Sequence, residues 1–512
     1  MRRRADTVIS ANSAVPLFVL AGLLAMLLVL PAAAGAYAPY RVPAKRPPVR
    51  SARVRELLRG SRFGNDHGWI VVSLRGDPYR VGFQNGFLTA QSDDYSIRAL
   101  LGARHTAYRT RSRRVARVAW ARIPGEYRLE LRGITAGLHA AGYGRDTLWD
   151  VVAANDWADQ PCYQRLLRRS AGAAAGAAAS PAAQQAALRR KGLKGGCSAF
   201  IASGTATADG MPVMGHNTWA EYQYAFQNNV LFYVHPRHGY AFCYQSAGGQ
   251  IWSGEDWYEN SAGLLLTETT LMDTTYRPQG LPVFVRAREA AQYARTVQQC
   301  IAILRMRNNG AYSNEWLMGD STGTIASLQL GCRRYDLHVT RDGFFGSSNF
   351  DWGSHTRSEE GDLADPYKPA VVDYARYLRW QQLAAQYDGT IDAAVGRAME
   401  SDTYDSYLGE QHADARSICG EPEHDTPGLL PWDLWVYKGW GAMDGKVATE
   451  SMATGGLQVW ACWGHPSGDT LDAAAWLRDH PMWRQKNGSF ERFGLRTFAR
   501  QTPNAWTLVG GL

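Results

Sequence analysis

One cysteine stands at a boundary. In "KGLKGGCSAFI" (191–201), Cys197 follows Gly195 and Gly196 where an alanine-rich, basic run gives way to strand-like sequence. A thiol is a good nucleophile only with a base nearby or a lowered pKa. A cysteine at the first position of a chain brings its own base, the free α-amine, with an unperturbed pKa of about 8. To expose that terminus here, the Gly196–Cys197 peptide must break. Two glycines before the thiol let the backbone take up the strained geometry that attack on the preceding carbonyl needs. Taken alone, the stretch reads equally well as a buried structural cysteine after a linker.

The other chemistry-bearing residues narrow the choice. Seven cysteines are present: Cys162, Cys197, Cys243, Cys300, Cys332, Cys419 and Cys462. Six could pair, and an odd count in an exported chain flags at least one free thiol. No CxxC occurs. "CWGH" (Cys462, His465) has ligand-like spacing without a second half, so neither a structural metal nor a cofactor is expected. A P-loop, a GxGxxG following a strand and a GxSxG elbow are all missing, which argues against a nucleotide enzyme and a classical serine hydrolase. The formal charge of +8 is concentrated outside the body. Residues 1–36 carry +2, and Arg189, Arg190, Lys191 and Lys194 add +4, leaving the rest near +2. No nucleic-acid surface is expected from so little charge.

Several elements must position these groups. "MRRR", "VPLFVLAGLLAMLLVL" and "PAAAGAYAP" read as the three parts of an export signal cleaved near Ala36, the rival being a short uncleaved anchor. Residues 37–169 form an N-terminal segment. Within it "GWIVVSLRGDPYRVGFQNGFLTA" (68–90) predicts a strand, a turn at Gly76-Asp77-Pro78 and a helix, and 124–142 and 147–159 predict two more helices. Residues 170–196 are a low-complexity linker, expected to be cleaved. Residues 197–512 form the remaining chain, opening with a hairpin around Asp209-Gly210 and continuing in short strands. Helices at 285–306 and 373–387 interrupt those strands, and "AMDGKV" reads as a structural turn around Asp444 and Lys446. Strand runs with segregated helices predict an α+β layered fold.

At this point the chain resembles a known family. "CSAFIAS", "GHNTW" (215–219), "SGEDWYENSAGLLLTETT" (253–270), "RNNGAYSNEWLMGD" (307–320), "SSNFDW" (347–352) and "GAMDGKVATESMA" (441–453) resemble, in order, motifs of phospholipase B-like proteins. These are N-terminal-nucleophile (Ntn) hydrolases, related to penicillin-processing acyltransferases and to bile-salt and penicillin V amidases. The resemblance implies an αββα sandwich of two antiparallel sheets between helical layers, self-cleavage between Gly196 and Cys197, and hydrolysis of an amide or ester. It makes Cys197 the nucleophile and Asn349 an oxyanion donor. His216 stands near the thiol, where the bile-salt amidases keep an arginine, and is carried over as catalytic. Trp219 falls where those amidases hold the α-amine with an aspartate, which leaves open what holds the amine here. Glu268, Thr269 and Arg376 match positions that contact the substrate, the oxyanion or the nucleophile.

The expected substrate is therefore an acyl lipid, met by transient membrane-surface contact, in a pocket walled by aromatics from "GHNTW" and "SGEDWYEN". An amidase or acyltransferase on small N-acyl compounds is the alternative. A non-enzymatic exported binding protein is the third reading, and it has no need of a linker ending at one cysteine.

Overall fold

The computed structural model describes residues 46–102, 106–163, 197–221, 228–271, 275–360, 371–424, 440–472, 475, 478 and 505–510. Two sheets face each other. The first has nine strands in the order Arg62–Asp66, Trp69–Gly76, Val230–Pro236, Phe242–Ser246, Trp257–Asn260, Leu265–Thr270, Asn314–Gly319, Ile325–Leu330, Tyr335–Thr340. The second has six, Gly343–Ser347, Ser198–Ser203, Val213–Asn217, Asp444–Thr449, Val459–Trp463, Thr507–Val509. One pairing departs from the expected antiparallel pattern: Trp69–Gly76 runs parallel to Val230–Pro236.

Alternation along each strand assigns its side chains to layers, because successive residues point to opposite faces. In Trp69–Gly76, Trp69 and Val71 enter the core between the sheets, while Ile70, Val72 and Leu74 face the outer helices. Ser198–Ser203 behaves likewise, with Ala199 and Ile201 between the sheets and Phe200 and Ala202 packed toward Trp380 and Leu383 of the helix Val372–Gln386. Helices thus cover both outer faces. The αββα sandwich is the observed architecture.

The N-terminal segment is built into this sandwich. Besides two strands of the nine-stranded sheet, it supplies the helices Pro78–Leu88 and Gly125–Ala140. Asp77 caps the first, accepting from the Arg80 N–H at 3.0 Å, with Pro78 following. The two helices meet backbone to backbone through Gly82 and Gly86 on one and Gly133 and Gly137 on the other. A Cβ at Gly82 would lie 1.9 Å from the Glu130 carbonyl oxygen, and one at Gly86 would lie 2.1 Å from that of Ile134.

Other local expectations fare variously. The hairpin forms between Ser198–Ser203 and Val213–Asn217, with Gly210 at φ +78°. The single helix expected over 285–306 is two, Val283–Tyr293 and Val297–Arg305, because Thr296 caps the second by accepting from the Gln299 N–H at 3.2 Å. Asp444 and Lys446 lie in a strand, not a turn, since this segment pairs on both sides, with Val213–Asn217 and Val459–Trp463. All seven cysteines are buried and none is joined in a disulfide, so the pairing of six is not realised. The export signal, the linker and Gly196 lie outside the described residues, and no described helix is long and apolar enough to cross a membrane.

Candidate active site

Cys197 immediately precedes the strand Ser198–Ser203 and is 3% exposed. Its neighbours arrive from four directions. His216 comes from the adjacent strand, opposite Ala199, and Lys446 lies opposite His216 on the next strand out. Asp256 comes from the bend just before the strand Trp257–Asn260 and Glu268 from Leu265–Thr270, both of the facing sheet, Asn349 from the loop after Gly343–Ser347, and Arg376 from the helix Val372–Gln386.

The thiol donates to Asp256 Oδ2 at 3.7 Å. Asp256 itself holds φ +58°, a backbone region that costs a side-chain-bearing residue energy and is found disproportionately at functional sites. Its carboxyl hydrogen-bonds that of Glu268, which requires a proton between two acids. Burial raises both, Asp256 to about 6 and Glu268 well above the ordinary range, the nearby Asp256 charge adding to the latter. Glu268 therefore keeps the proton and donates it. Burial, and then the Asp256 charge, push the Cys197 thiol up, opposed by the Trp219 backbone N–H. In the uncut chain this thiol is protonated and needs an acceptor before it can attack anything.

His216 has a fixed tautomer. Its Nε2 lies 3.1 Å from the Glu268 carbonyl oxygen, which can only accept, so Nε2 carries the hydrogen and Nδ1 a lone pair. Burial and then the Lys446 charge depress its pKa well below the usual value, leaving it neutral. Nδ1 faces the Thr218 hydroxyl at 3.5 Å. Fully buried Lys446 donates to Thr218 Oγ1 at 2.8 Å, to Asp444 Oδ1 at 2.7 Å and to the Glu255 carbonyl at 3.2 Å.

Arg376 ties the other side together. Its guanidinium is wholly buried and donates to the Cys197 carbonyl at 2.7 Å, Ser198 Oγ at 3.2 Å, Asn349 Oδ1 at 3.1 Å and Asp373 Oδ1 at 2.9 Å. It lies 4.3 Å over the Trp219 ring. Asn349 adopts φ +64°, which asparagine tolerates better than most residues. Its Nδ2 donates to the Thr270 carbonyl at 2.8 Å, which leaves a second amide hydrogen for another oxygen. Its backbone N–H donates to Thr269 Oγ1 at 3.3 Å.

Cys197, His216, Trp219, Glu268, Thr269, Asn349 and Arg376, each singled out from sequence, thus belong to one connected network. Sequence reasoning missed Asp256, Glu255, Asp444 and Lys446. For the last two a signal existed: D-x-K in a strand puts both side chains on one face. For Asp256 there was none, since its contact with Cys197 spans 59 residues. The expected aromatic wall differs too. Of the two quoted segments, Trp219 lays its ring over Arg376 and Tyr258 lies near Asp256 and Glu268, while Trp257 belongs to the core between the sheets.

Donor atoms compact enough to seat a cation occur away from the thiol, at Glu421–Glu423–His465 and Glu421–His424–Asp469. There His465 pairs with Glu423 at 2.8 Å and His424 with Glu421 at 3.4 Å. Cys197, His216 and Asp256 also bring donor atoms within 4.8 Å of one another, a spacing that equally serves proton transfer.

Residues 157–327 match the model of the Phospholipase B family. The phospholipase B-like resemblance read from the motifs is borne out over that span, and it supports a hydrolase. Among curated proteins, the chain is 26% identical over 272 residues to an uncharacterized protein of Archaeoglobus fulgidus, covering 50% of this chain and 42% of that one. It is 30% identical over 104 residues to a Caenorhabditis elegans protein named as phospholipase B-like 2, covering 19% of this chain and 17% of that one. The chain therefore spans less than half the length of these relatives. Among solved structures it is similar to penicillin V acylase from Agrobacterium tumefaciens, with TM-score 0.32, 14% identity and coverage of 52% of this chain and 82% of that one. A mutant conjugated bile acid hydrolase from Clostridium perfringens follows with TM-score 0.30, 10% identity and coverage of 52% and 88%.

Proposed function

We propose that this chain is an exported hydrolase of acyl esters or amides that cuts itself between Gly196 and Cys197 and then uses Cys197 as nucleophile. The observation that carries this reading is the convergence on Cys197. The thiol meets a carboxylate at 3.7 Å, and its carbonyl meets Arg376, which also holds Asn349. A lone structural cysteine has no use for such an arrangement.

In the reaction, the thiol attacks an acyl carbon and throws negative charge onto oxygen. The free hydrogen of Asn349 Nδ2 is the donor suited to that oxygen. Once cleavage has freed it, the α-amine of Cys197 takes the thiol proton and returns it to the leaving group. The family match supports a fatty-acyl substrate such as a phospholipid, met at a membrane surface. Each buried CH₂ of the acyl chain would contribute roughly 0.8 kcal/mol, so activity rises over the first several carbons.

Two measurements test this. Intact mass and N-terminal sequencing of the mature protein should give a fragment beginning at Cys197, and Cys197→Ala should remain whole. Matched series of acyl esters and N-acyl amino acids then separate lipid hydrolysis from amidase chemistry. Turnover should survive chelator and vanish on thiol alkylation. A processed protein acting on neither series would overturn the assignment.

A further inference from the structure

The self-cleaving step cannot use the base that later turnovers use. Before the cut, the nitrogen of Cys197 is a peptide nitrogen with no basic lone pair. Something else must accept the thiol proton, and burial holds that proton on sulfur. We propose that Asp256 is the catalytic base of the self-cleavage, a role that rests on the reading of Cys197 as a self-processing nucleophile.

Geometry selects Asp256 over its rivals. Its Oδ2 is the atom to which the thiol donates. His216 is close, but its Nε2 hydrogen is committed to the Glu268 carbonyl, its Nδ1 faces Thr218 at 3.5 Å, and burial makes it a weak base, whereas the thiol's hydrogen bond goes to Asp256. Lys446 is engaged by three acceptors, none of them the thiol. Glu268 keeps its proton and shares it with Asp256. The Asp256 backbone is pinned as well: its carbonyl accepts Thr267 Oγ1 at 2.6 Å and the Glu268 N–H at 3.3 Å. That anchoring holds the positive φ and aims the carboxylate at the sulfur.

The step balances as follows. The proton on Cys197 Sγ passes to Asp256 Oδ2 as sulfur bonds to the Gly196 carbonyl carbon. The Gly196–Cys197 C–N bond breaks, and Asp256 returns the proton to the departing nitrogen, leaving a thioester and a free amine. Water then hydrolyses the thioester, regenerating the thiol and releasing the Gly196 carboxylate. The same Asp256 finishes beside the new α-amine, which is three bonds from the sulfur.

The charged and titratable groups around Asp256 set how this responds to pH. They are Cys197 at the head of its strand, Glu268 on the facing strand, Glu255 beside it, Tyr258 and Tyr312, His216, and the Lys446–Asp444 pair. Burial raises Asp256 to about 6, and the proton donated by Glu268 and then the Lys446 charge temper that rise. Cleavage should therefore speed up through about pH 6 as Asp256 ionises.

The test is cell-free synthesis of the full chain, sampled over time between pH 5 and 8 and read by intact mass. Wild type should cut, with a rate that climbs through pH 6. Asp256→Asn, which suits the same φ, should slow cutting at least ~100-fold, the usual weight of a general base. Its thermal transition should be no lower than that of uncut Cys197→Ala. Asp256→Gly also suits the backbone and removes the carboxylate, and added formate should restore its cleavage. Cutting by Asp256→Asn within about threefold of wild type would overturn the proposal. So would a folded, uncut Asp256→Asn alongside an Asp256→Gly that formate fails to rescue, because Asp256 would then be structural. If Cys197→Ala were cut as fast as wild type, the self-processing reading itself would fall and take this step with it.

Discussion

Arg376 Nη1 donates to the backbone carbonyl of Cys197 at 2.7 Å, so the residue read as nucleophile is held by its main chain from a helix outside the six-stranded sheet. The same guanidinium spends its other arm on Asn349 Oδ1 and Asp373. One side chain thus sets the distance between nucleophile and oxyanion donor, and the planar fork is what lets it reach both.

Replacing Arg376 with Lys keeps the charge but loses the fork. Arg376→Lys should therefore fold, with turnover reduced more than stability. Arg376→Ala leaves the Cys197 carbonyl and Asn349 Oδ1 buried without a donor. Losing hydrogen bonds to a charged group costs roughly 1.5–3 kcal/mol apiece, so it should unfold measurably earlier in urea. Equal turnover in the Lys variant and wild type would remove the positioning role.

Asn349 combines a side-chain part with a backbone part, and two variants separate them. Both Asn349→Ala and Asn349→Gly remove the amide, and each should lower kcat about 10²–10³-fold. At φ +64° alanine pays a left-handed penalty of about 1–2 kcal/mol that glycine avoids. The alanine variant should accordingly melt lower than the glycine variant at similar activity. Asn349→Asp should be at least as inactive as either, since it sets a carboxylate where charge develops. Turnover within a few-fold of wild type would take Asn349 out of the reaction.

Stability of the uncut chain should fall as pH rises through mild acid. Asp256 titrates near 4 when unfolded and at about 6 when folded, so the folded state binds its proton more tightly. Its contribution is fully present below about pH 4 and is lost as pH climbs to 6. Asp159, which burial likewise raises to about 6, acts in the same direction. Melting of Cys197→Ala between pH 4 and 7 should show the decline. Adding Asp256→Asn should shallow it, and an unchanged slope would mean Asp256 is not the group responsible.

Far from the site, Gly86→Ala tests the helix contact of the N-terminal segment. The added Cβ would meet the Ile134 carbonyl at 2.1 Å and force the helices apart. Overpacking of this kind costs typically about 1–3 kcal/mol, seen as an earlier urea midpoint. Gly142→Ala would be a poor control because Gly142 holds φ +103°. Gly125, at φ < 0 with nothing within 4 Å, is the better one.

What the sequence alone made legible was local. The hairpin at Asp209-Gly210 depends on a turn residue at φ +78°, and the helix after Asp77-Pro78 on a cap and a proline, all within a few positions. Cys197 stood out because glycines and a composition break flank it. The positions carried over by resemblance, from His216 to Arg376, do fall into one network, but their bonds could not be read from motif order. The tertiary structure decided the rest. Only the parallel pairing of Trp69–Gly76 with Val230–Pro236 makes the N-terminal segment part of the sheet, and only two-sided pairing turns "DGKVAT" into a strand that buries Lys446 opposite His216. Asp256 reaches the thiol because two sheets pack face to face, and burial there raises its pKa toward that of a usable base. Register and burial depend on residues hundreds of positions apart, which no local pattern encodes.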